Sequence, residues 1–248
     1  MKVIVIGDIH GRSIWRQIVS DNSDADLFIF LGDYFDSREN IDALSQITNF
    51  RDIMEYKRNN PGKVITLLGN HDFHYTSGCI GSYTGFDYST YYNMRLELDG
   101  LIKEGELLIA HQIGGYLFTH AGVTKTFCES WGIDTNNLVE SLNDFLIYKP
   151  HIFNFRSGKS RDPYGDDIGQ GPIWVRPKSL LEDGLPYFHV VGHTTHDDVV
   201  AFKNERIEVI CTDALVVGKY LELVFHGEII PDKVYKVERN IKQVEGYV

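Results

Sequence analysis

Cysteine is scarce in this chain. The three residues, Cys79, Cys128 and Cys211, are an odd number with no C-x-x-C spacing. That argues against a disulfide framework or a cysteine-built zinc site and fits a reducing, intracellular setting. Long apolar runs are missing as well. No stretch approaches the ~18 uninterrupted apolar residues of a membrane helix, and the opening segment Met1–Ile6 lacks the charge-flanked apolar run of a signal peptide. A cytoplasmic protein with no membrane partner is therefore expected. Positive charge is in short supply: 24 Lys and Arg stand against 35 Asp and Glu, for a formal net charge of −11. An extended nucleic-acid surface would need cations to displace counterions from phosphate, so none is expected.

What is present reads as one α/β domain over residues 1–248. Hydrophobic residues make up 43% and charged residues 24%, an ordinary globular balance with enough chain for a full core. Apolar strands are predicted at Lys2–Ile6, Leu27–Leu31 and Val64–Leu68. Between them lie helical patterns at Ser13–Ser20, with Ser13 as N-cap, and Ile41–Lys57, stopped by Asn59-Asn60-Pro61-Gly62. Strands that are apolar throughout, separated by helices, imply a sheet buried on both faces. The segment from Phe73 to about Leu98, rich in Tyr, Gly, Ser and Thr, reads as a loop-rich aromatic insertion. Beyond it, Leu107–Ala110 and Tyr116–Thr119 flank Gly114-Gly115 as a hairpin, Thr135–Tyr148 has helical character, and Arg156–Gly171 is a polar loop. The last third reads as mainly β, with strands at Phe188–Val191, Val199–Phe202, Arg206–Cys211, Lys219–Phe225 and Lys233–Val237.

Each of the first three strands ends in Gly followed by a side chain able to bind metal. Ligands in open α/β sheets sit at the carboxyl ends of strands, so three segments distant in sequence are expected to meet in one crevice. The full series is Gly7-Asp8-Ile9-His10-Gly11, Gly32-Asp33-Tyr34-Phe35-Asp36, Gly69-Asn70-His71-Asp72, Thr119-His120-Ala121-Gly122 and Gly192-His193-Thr194. Asp or Asn after a strand can be a simple turn residue or cap. That reading does not account for histidine recurring at fixed positions behind them. Mixed carboxylate and imidazole donors suit Mn, Fe, Zn or Co better than Ca or Mg, which favour all-oxygen shells.

The series resembles the calcineurin-like metallophosphoesterases, and within them the phosphoprotein phosphatase branch and its bacterial and phage relatives, including diadenosine tetraphosphatase-like members. The resemblance implies a four-layer αββα sandwich of two mixed sheets. It also implies two divalent transition-metal ions, with Mn²⁺ favoured and Fe, Zn, Ni or Co as alternatives. Asp8, His10 and Asp33 would hold the first ion, and Asp33 would bridge to a second completed by Asn70, His120 and His193. A bridging water or hydroxide would attack phosphorus. His71 would give the leaving oxygen its proton, and Asp36 would orient His71. For the phosphate grip there are three arginines: Arg176, in Ile173-Trp174-Val175-Arg176-Pro177, then Arg38 and Arg12.

The sequence departs from the family pattern in three places. Asp36-Ser37-Arg38-Glu39 stands where the phosphatase branch has Asp-Arg-Gly. Gly192-His193-Thr194-Thr195-His196 lacks the second histidine of Gly-His-x-His, leaving the first ion one protein ligand short. Leu68-Gly69-Asn70-His71-Asp72 replaces Arg-Gly-Asn-His-Glu. The expectation is a prokaryotic or phage-type phosphoesterase acting on phosphomonoesters, with phosphoserine or phosphothreonine of proteins as one substrate class. The alternatives are a dinucleoside polyphosphate or other nucleotide phosphoester hydrolase and, in another class, an inactive metal-binding scaffold.

Overall fold

The computed structural model describes residues 1–156, 158, 162, 164–227 and 237–245. In chain order the elements are β1 (Lys2–Ile6), α1 (Trp15–Asp21), β2 (Leu27–Phe30), α2 (Ala43–Asn59), β3 (Val64–Thr66), α3 (Asn70–Phe73), α4 (Tyr88–Lys103), β4 (Ala110–Ile113) and β5 (Tyr116–Thr119). There follow α5 (Lys125–Trp131), α6 (Leu138–Tyr148), a 3₁₀ turn (Pro150–Phe153), α7 (Pro177–Asp183), β6 (Phe188–Val191), β7 (Val200–Lys203), β8 (Glu208–Cys211), a second 3₁₀ turn (Leu215–Val217), β9 (Lys219–Phe225) and β10 (Val237–Gln243).

The strands form two five-stranded sheets, ordered β10-β9-β1-β2-β3 and β4-β5-β6-β8-β7. Both are mixed: β1, β2 and β3 run parallel, with β9 antiparallel to β1 and β10 antiparallel to β9, and β5, β6 and β8 run parallel with β4 and β7 antiparallel. Side chains alternate between sheet faces with period two, and the alternation sorts the core into layers. Val3, Val5, Leu27, Ile29, Leu221 and Leu223 of the first sheet meet Tyr116, Phe118, Val190 and Ile210 of the second. The opposite faces carry helices. Ile4, Ile6, Phe28 and Phe30 pack with Trp15 and Ile18 of α1 and with Phe50 and Ile53 of α2. Val191, Val209 and Cys211 pack with Leu180 of α7. The expected two-sheet sandwich with helices outside is therefore the architecture of the chain. Among the described residues no helix is long and apolar enough to cross a membrane.

Several local expectations are corrected. The aromatic segment is loop only as far as Asp87, because Asp87 caps the long helix α4 by accepting from Ser89 N (2.7 Å) and Thr90 N (3.1 Å). Cap chemistry there, and the helix formers Met94-Arg95-Leu96-Glu97-Leu98 that follow, outweigh the tyrosine-rich first turn. Ser13 caps nothing: α1 starts at Trp15 with Ile14 at the cap position and no side-chain cap bond. The hairpin is real, but its first strand is Ala110–Ile113, so Gly114-Gly115 make a two-residue turn. Leu108 instead bridges Leu67. The predicted strand Lys233–Val237 lies outside the described residues except for Val237, which opens β10, and part of the polar loop 156–171 lies outside them too.

One buried group adds an acid-sensitive element to the fold. His189 of β6 is fully buried, and its Nε2 donates to Leu185 O at 2.9 Å. Burial holds its pKa down to about 4. The unfolded chain takes up this proton below the ordinary histidine pKa near 6.5, whereas the folded chain does not do so until about 4. Stability is thus fully present above pH ~6.5 and is lost as pH falls through this window, by about 3 kcal/mol at most. His189→Gln lacks this sensitivity. The stability of the wild type relative to the variant, from urea melts, is expected to fall by that order between pH 7 and pH 4; a constant difference would refute the assignment.

Candidate active site

Three parallel strands of each sheet point their carboxyl ends at one place. From the first sheet, β1 runs into Asp8, β2 into Asp33 and β3 into Asn70; from the second, β5 runs into His120, β6 into His193 and β8 into Asp213. The first two loops travel side by side, with His10 N donating to Asp33 O (2.6 Å) and Gly11 N to Tyr34 O (2.9 Å). Contacts across the sheets close the group: His193 N donates to both Asp8 carboxylate oxygens at 3.1 Å, and His120 Nε2 lies 3.4 Å from Asp33 Oδ2.

Among the described residues the non-glycine positions with positive φ are His10 (44°), Asp33 (52°), Asp36 (60°) and His193 (62°). All four belong to the predicted site. Left-handed backbone is uncommon outside glycine and collects where a site over-determines the chain. Two glycines make room: a Cβ on Gly69 would overlap the Asp33 carboxylate, and one on Gly192 would overlap that of Asp8.

The histidine tautomers can be read from their partners. His10 Nδ1 faces Phe35 O at 2.6 Å, His120 Nδ1 faces Leu31 O at 2.9 Å, and His193 Nε2 faces Trp174 O at 3.1 Å. A carbonyl only accepts, so each of these nitrogens carries hydrogen. The other nitrogen of each neutral ring therefore presents a lone pair, and these lone pairs point inward. His120 Nε2 lies 3.0 Å and His193 Nδ1 2.9 Å from Asn70 Oδ1, while His10 Nε2 lies 3.7 Å from Asp33 Oδ2. Lone pairs facing oxygen lone pairs require protons or cations between them. A backbone carbonyl that fixes the outer nitrogen is the usual support of a metal-binding imidazole, and the mixed donor set fits divalent transition metals.

The electrostatics agree. Burial, then the neighbouring Asp213 and Asp33 carboxylates, push the Asp8 pKa well above its usual range. Burial also acts to raise Asp33, but His120 and His71 outweigh it and hold the carboxyl well below the usual range. For His120, burial opposes the charged form, yet Asp33 and Asp8 push the pKa up to about 10. Divalent ions at the inward lone pairs would take over that compensating charge.

Beside this group sits a second one, in which ligand atoms of Asp36, His71 and His74 lie within 4.8 Å of one another, as do those of Asp8, Asp33 and His120. His71 N donates to Asp33 Oδ1 (2.8 Å) and its Nδ1 to Asp36 Oδ2 (2.7 Å). Burial works against the His71 cation, but the Asp33 and Asp36 carboxylates prevail and raise its pKa.

Asp8, His10, Asp33, Asn70, His71 and His193 line a cavity of about 460 Å³, and so do Arg12, Arg38 and Arg176. The three arginines are thus not mutually exclusive. Arg12 is tied to Glu39 Oε1 at 2.6 Å, and Arg176 reaches Tyr164 O at 3.2 Å and Thr194 Oγ1 at 3.3 Å. Arg38 is exposed and has no hydrogen bond or ion pair among the described residues. A larger cavity of about 710 Å³, lined by Met1, His111 and Tyr187 among others, contains none of the motif residues.

Two groups of residues were not singled out by sequence reasoning. Asp72, noted only as a departure from Glu, is fully buried and staples the second motif to the third. It accepts from Asp33 N (2.7 Å), Tyr34 N (2.6 Å) and Gly69 N (2.8 Å). Burial and the Asp33 charge push its pKa up to about 7. His74 and Tyr75 crowd Asp36 from a segment that carries no motif.

Comparison with known proteins points the same way. The model of the calcineurin-like phosphoesterase family matches residues 1–227. The structure of the cold-active protein-tyrosine phosphatase of a psychrophilic Shewanella species superposes with a TM-score of 0.60 at 17% identity, covering 98% of this chain and 80% of that one. A protein serine/threonine phosphatase from Saccharomyces cerevisiae gives 0.50 at 14% identity, again covering 98% and 80%. At such identities the likeness is one of fold. A search of curated proteins finds no match. With the family model spanning most of the chain and ligand-capable side chains gathered where the strands end, this chain belongs to the calcineurin-like phosphoesterases and is a metal-dependent hydrolase of phosphoric esters.

Proposed function

We propose that the chain is a phosphomonoesterase with two divalent metal ions, Mn²⁺ being the favoured species, and that phosphorylated side chains of proteins are its substrate class. One observation carries the reading: three imidazoles, each tied by its outer nitrogen to a backbone carbonyl, turn their free lone pairs onto the oxygens of Asp33 and Asn70, with the Asp8 carboxylate beside them. In this reading Asp8, His10 and Asp33 hold one ion, and Asp33, Asn70, His120 and His193 hold the other. Bound ions would supply Lewis acidity to the phosphoryl oxygens and a water of lowered pKa as nucleophile.

The protein's own groups do the rest. Arg176 and Arg38 meet the phosphate from the cavity wall with planar donor forks, and Arg12 adds charge from beneath. His71 passes the proton on its Nε2 to the departing oxygen, because Nδ1 is committed to Asp36. Asp36 holds the ring in place and favours its doubly protonated form. The free thiols Cys79, Cys128 and Cys211 suit a reducing compartment such as the cytoplasm.

A second reading has its own observation. Tyr83, Tyr164 and Trp174 line the same cavity, and aromatic walls of this kind stack nucleobases, which favours a nucleotide phosphoester or dinucleoside polyphosphate. A panel of p-nitrophenyl phosphate, phosphopeptides and diadenosine tetraphosphate, run with Mn²⁺, Ni²⁺, Co²⁺ and Mg²⁺, separates the two. We expect no turnover after chelation, recovery with Mn²⁺, and higher kcat/KM on phosphopeptides than on the dinucleotide. The reverse order would give the site to nucleotides. Metal binding without any turnover would make the chain a scaffold.

A further inference from the structure

Asp36 is more heavily engaged than a simple partner of His71 would be. Its Oδ2 takes His71 Nδ1 at 2.7 Å, and His74 Nε2 stands 2.7 Å from the same oxygen. The hydroxyl of Tyr75 donates to Oδ1 and itself accepts from Asp87 N at 2.9 Å. The His74 side chain is wholly buried. Its tautomer is set from the far side, because Tyr83 N donates to Nδ1 at 3.2 Å. A backbone N–H can only donate, so the proton of His74 resides on Nε2 and faces Asp36. That nitrogen makes no well-formed hydrogen bond, so the contact is a close electrostatic one, off the N–H axis.

The cluster has ligand types that suit a metal, but its spacing does not. Around a tetrahedral zinc with bonds of ~2.0–2.1 Å, neighbouring donor atoms stand roughly 3.3 Å apart. Separations of 2.7 Å are too short for that, and the one from His71 is that of a hydrogen bond. The surrounding packing also looks like a mounting. The Tyr83 ring stacks on His74 (5.8 Å, 8° between planes) and Phe86 stacks on Tyr75 (5.2 Å, 21°). A Cβ on Gly85, where φ is +93°, would come within 2.8 Å of Asp36 Cβ, so the loop passes directly over the carboxylate.

We propose that His74 and Tyr75 are positioning residues for the reaction: they clamp the Asp36 carboxylate, and through it the angle at which His71 meets the leaving oxygen. The loop from His74 to Asp87 is then the mounting of the proton donor. The inference rests on the reading of His71 given above. It predicts a dependence on the leaving group that a merely structural role lacks. p-Nitrophenolate departs without a proton, whereas phenolate needs one far more.

The experiment uses the Mn²⁺-loaded full chain and measures kcat for p-nitrophenyl phosphate and phenyl phosphate in His74→Phe, Tyr75→Phe and His74→Gln, with His71→Asn as reference and metal content measured throughout. The ratio of the two rates is expected to shift against phenyl phosphate by ~10–100-fold in His74→Phe and Tyr75→Phe. His74→Gln, which keeps an N–H donor near the Nε2 position, is expected to restore most of the ratio. If His74→Phe does not fold, Tyr75→Phe and His74→Gln carry the comparison. A larger shift in His71→Asn with an unchanged ratio in the clamp variants overturns the inference alone. An unchanged ratio in His71→Asn removes the proton-donor reading, and the inference falls with it.

Discussion

Asp33→Asn is expected to lose at least ~10³ in kcat/KM together with much of its bound metal, while remaining folded. The substitution is nearly isosteric, and Asn tolerates the positive φ of 52° better than most residues. What it removes is charge at the point where the site needs it most. Asp33 is 2% exposed, its Oδ1 takes the His71 amide at 2.8 Å, and its Oδ2 stands 3.4 Å from His120 Nε2 and 3.7 Å from His10 Nε2. A carboxylate between two cations lessens their repulsion, and losing the stabilisation that a metal pair supplies is a matter of several kcal/mol, each ~1.4 of which is tenfold in rate. Elemental analysis, thermal melting and an assay on p-nitrophenyl phosphate check it. Full metal occupancy with turnover near that of the wild type would show that Asp33 does not bridge.

His71→Asn is expected to cut kcat by ~10²–10⁴ on esters with poor leaving groups, with metal content unchanged. The contrast with Asp33 follows from position. His71 Nδ1 is committed to Asp36, and its ring stands edge-on to His10 at 5.4 Å rather than turning a lone pair onto Asn70. The pH profile adds a second signature. A proton donor of this kind must be charged, and the Asp36 carboxylate on Nδ1 favours the charged ring. Turnover by the wild type is therefore expected to fall as pH rises through the His71 pKa, and His71→Asn should lack this basic limb. Metal loss in the variant would instead make His71 a ligand.

The part of the site legible in the sequence is the part in which backbone and side chain are coupled at short range. Gly7-Asp8, Gly32-Asp33 and Gly69-Asn70 each combine a strand end, a tight turn and a ligand-capable group within two residues, so their convergence could be anticipated from strand topology alone. The contribution of the second sheet was harder to see. His120 and His193 follow short strands of four residues, and their place opposite the first sheet depends on inter-sheet packing that no local pattern encodes. Asp72, His74 and Tyr75 escaped for another reason. Their partners Tyr34, Asp36 and Tyr83 are brought to them by the fold, and a buried carboxylate gathering backbone amides has the same sequence appearance as a turn residue. The helix α4 was legible in principle through its Asp87 cap, but the run of tyrosines around it masked the periodicity.

Spacing alone does not show that Arg12, Arg38 and Arg176 reach one cavity: the loops of Arg12 and Arg38 run side by side, whereas Arg176 comes from the segment that leads into α7. Their different restraints now suggest a division of labour. Arg12 is half-spent on Glu39, Arg176 is held by Tyr164 and Thr194, and Arg38 stands at the exposed rim.

The proposed pair of metal ions sharing Asp33 is tested by titrating Mn²⁺ into the chelator-treated full chain, with elemental analysis after desalting and electron paramagnetic resonance at low temperature. Two ions per chain are expected, with the multiline spectrum of a spin-coupled pair, and loss of that coupling in Asp33→Asn. A single ion per chain, or two ions with uncoupled spectra, would rule the shared pair out.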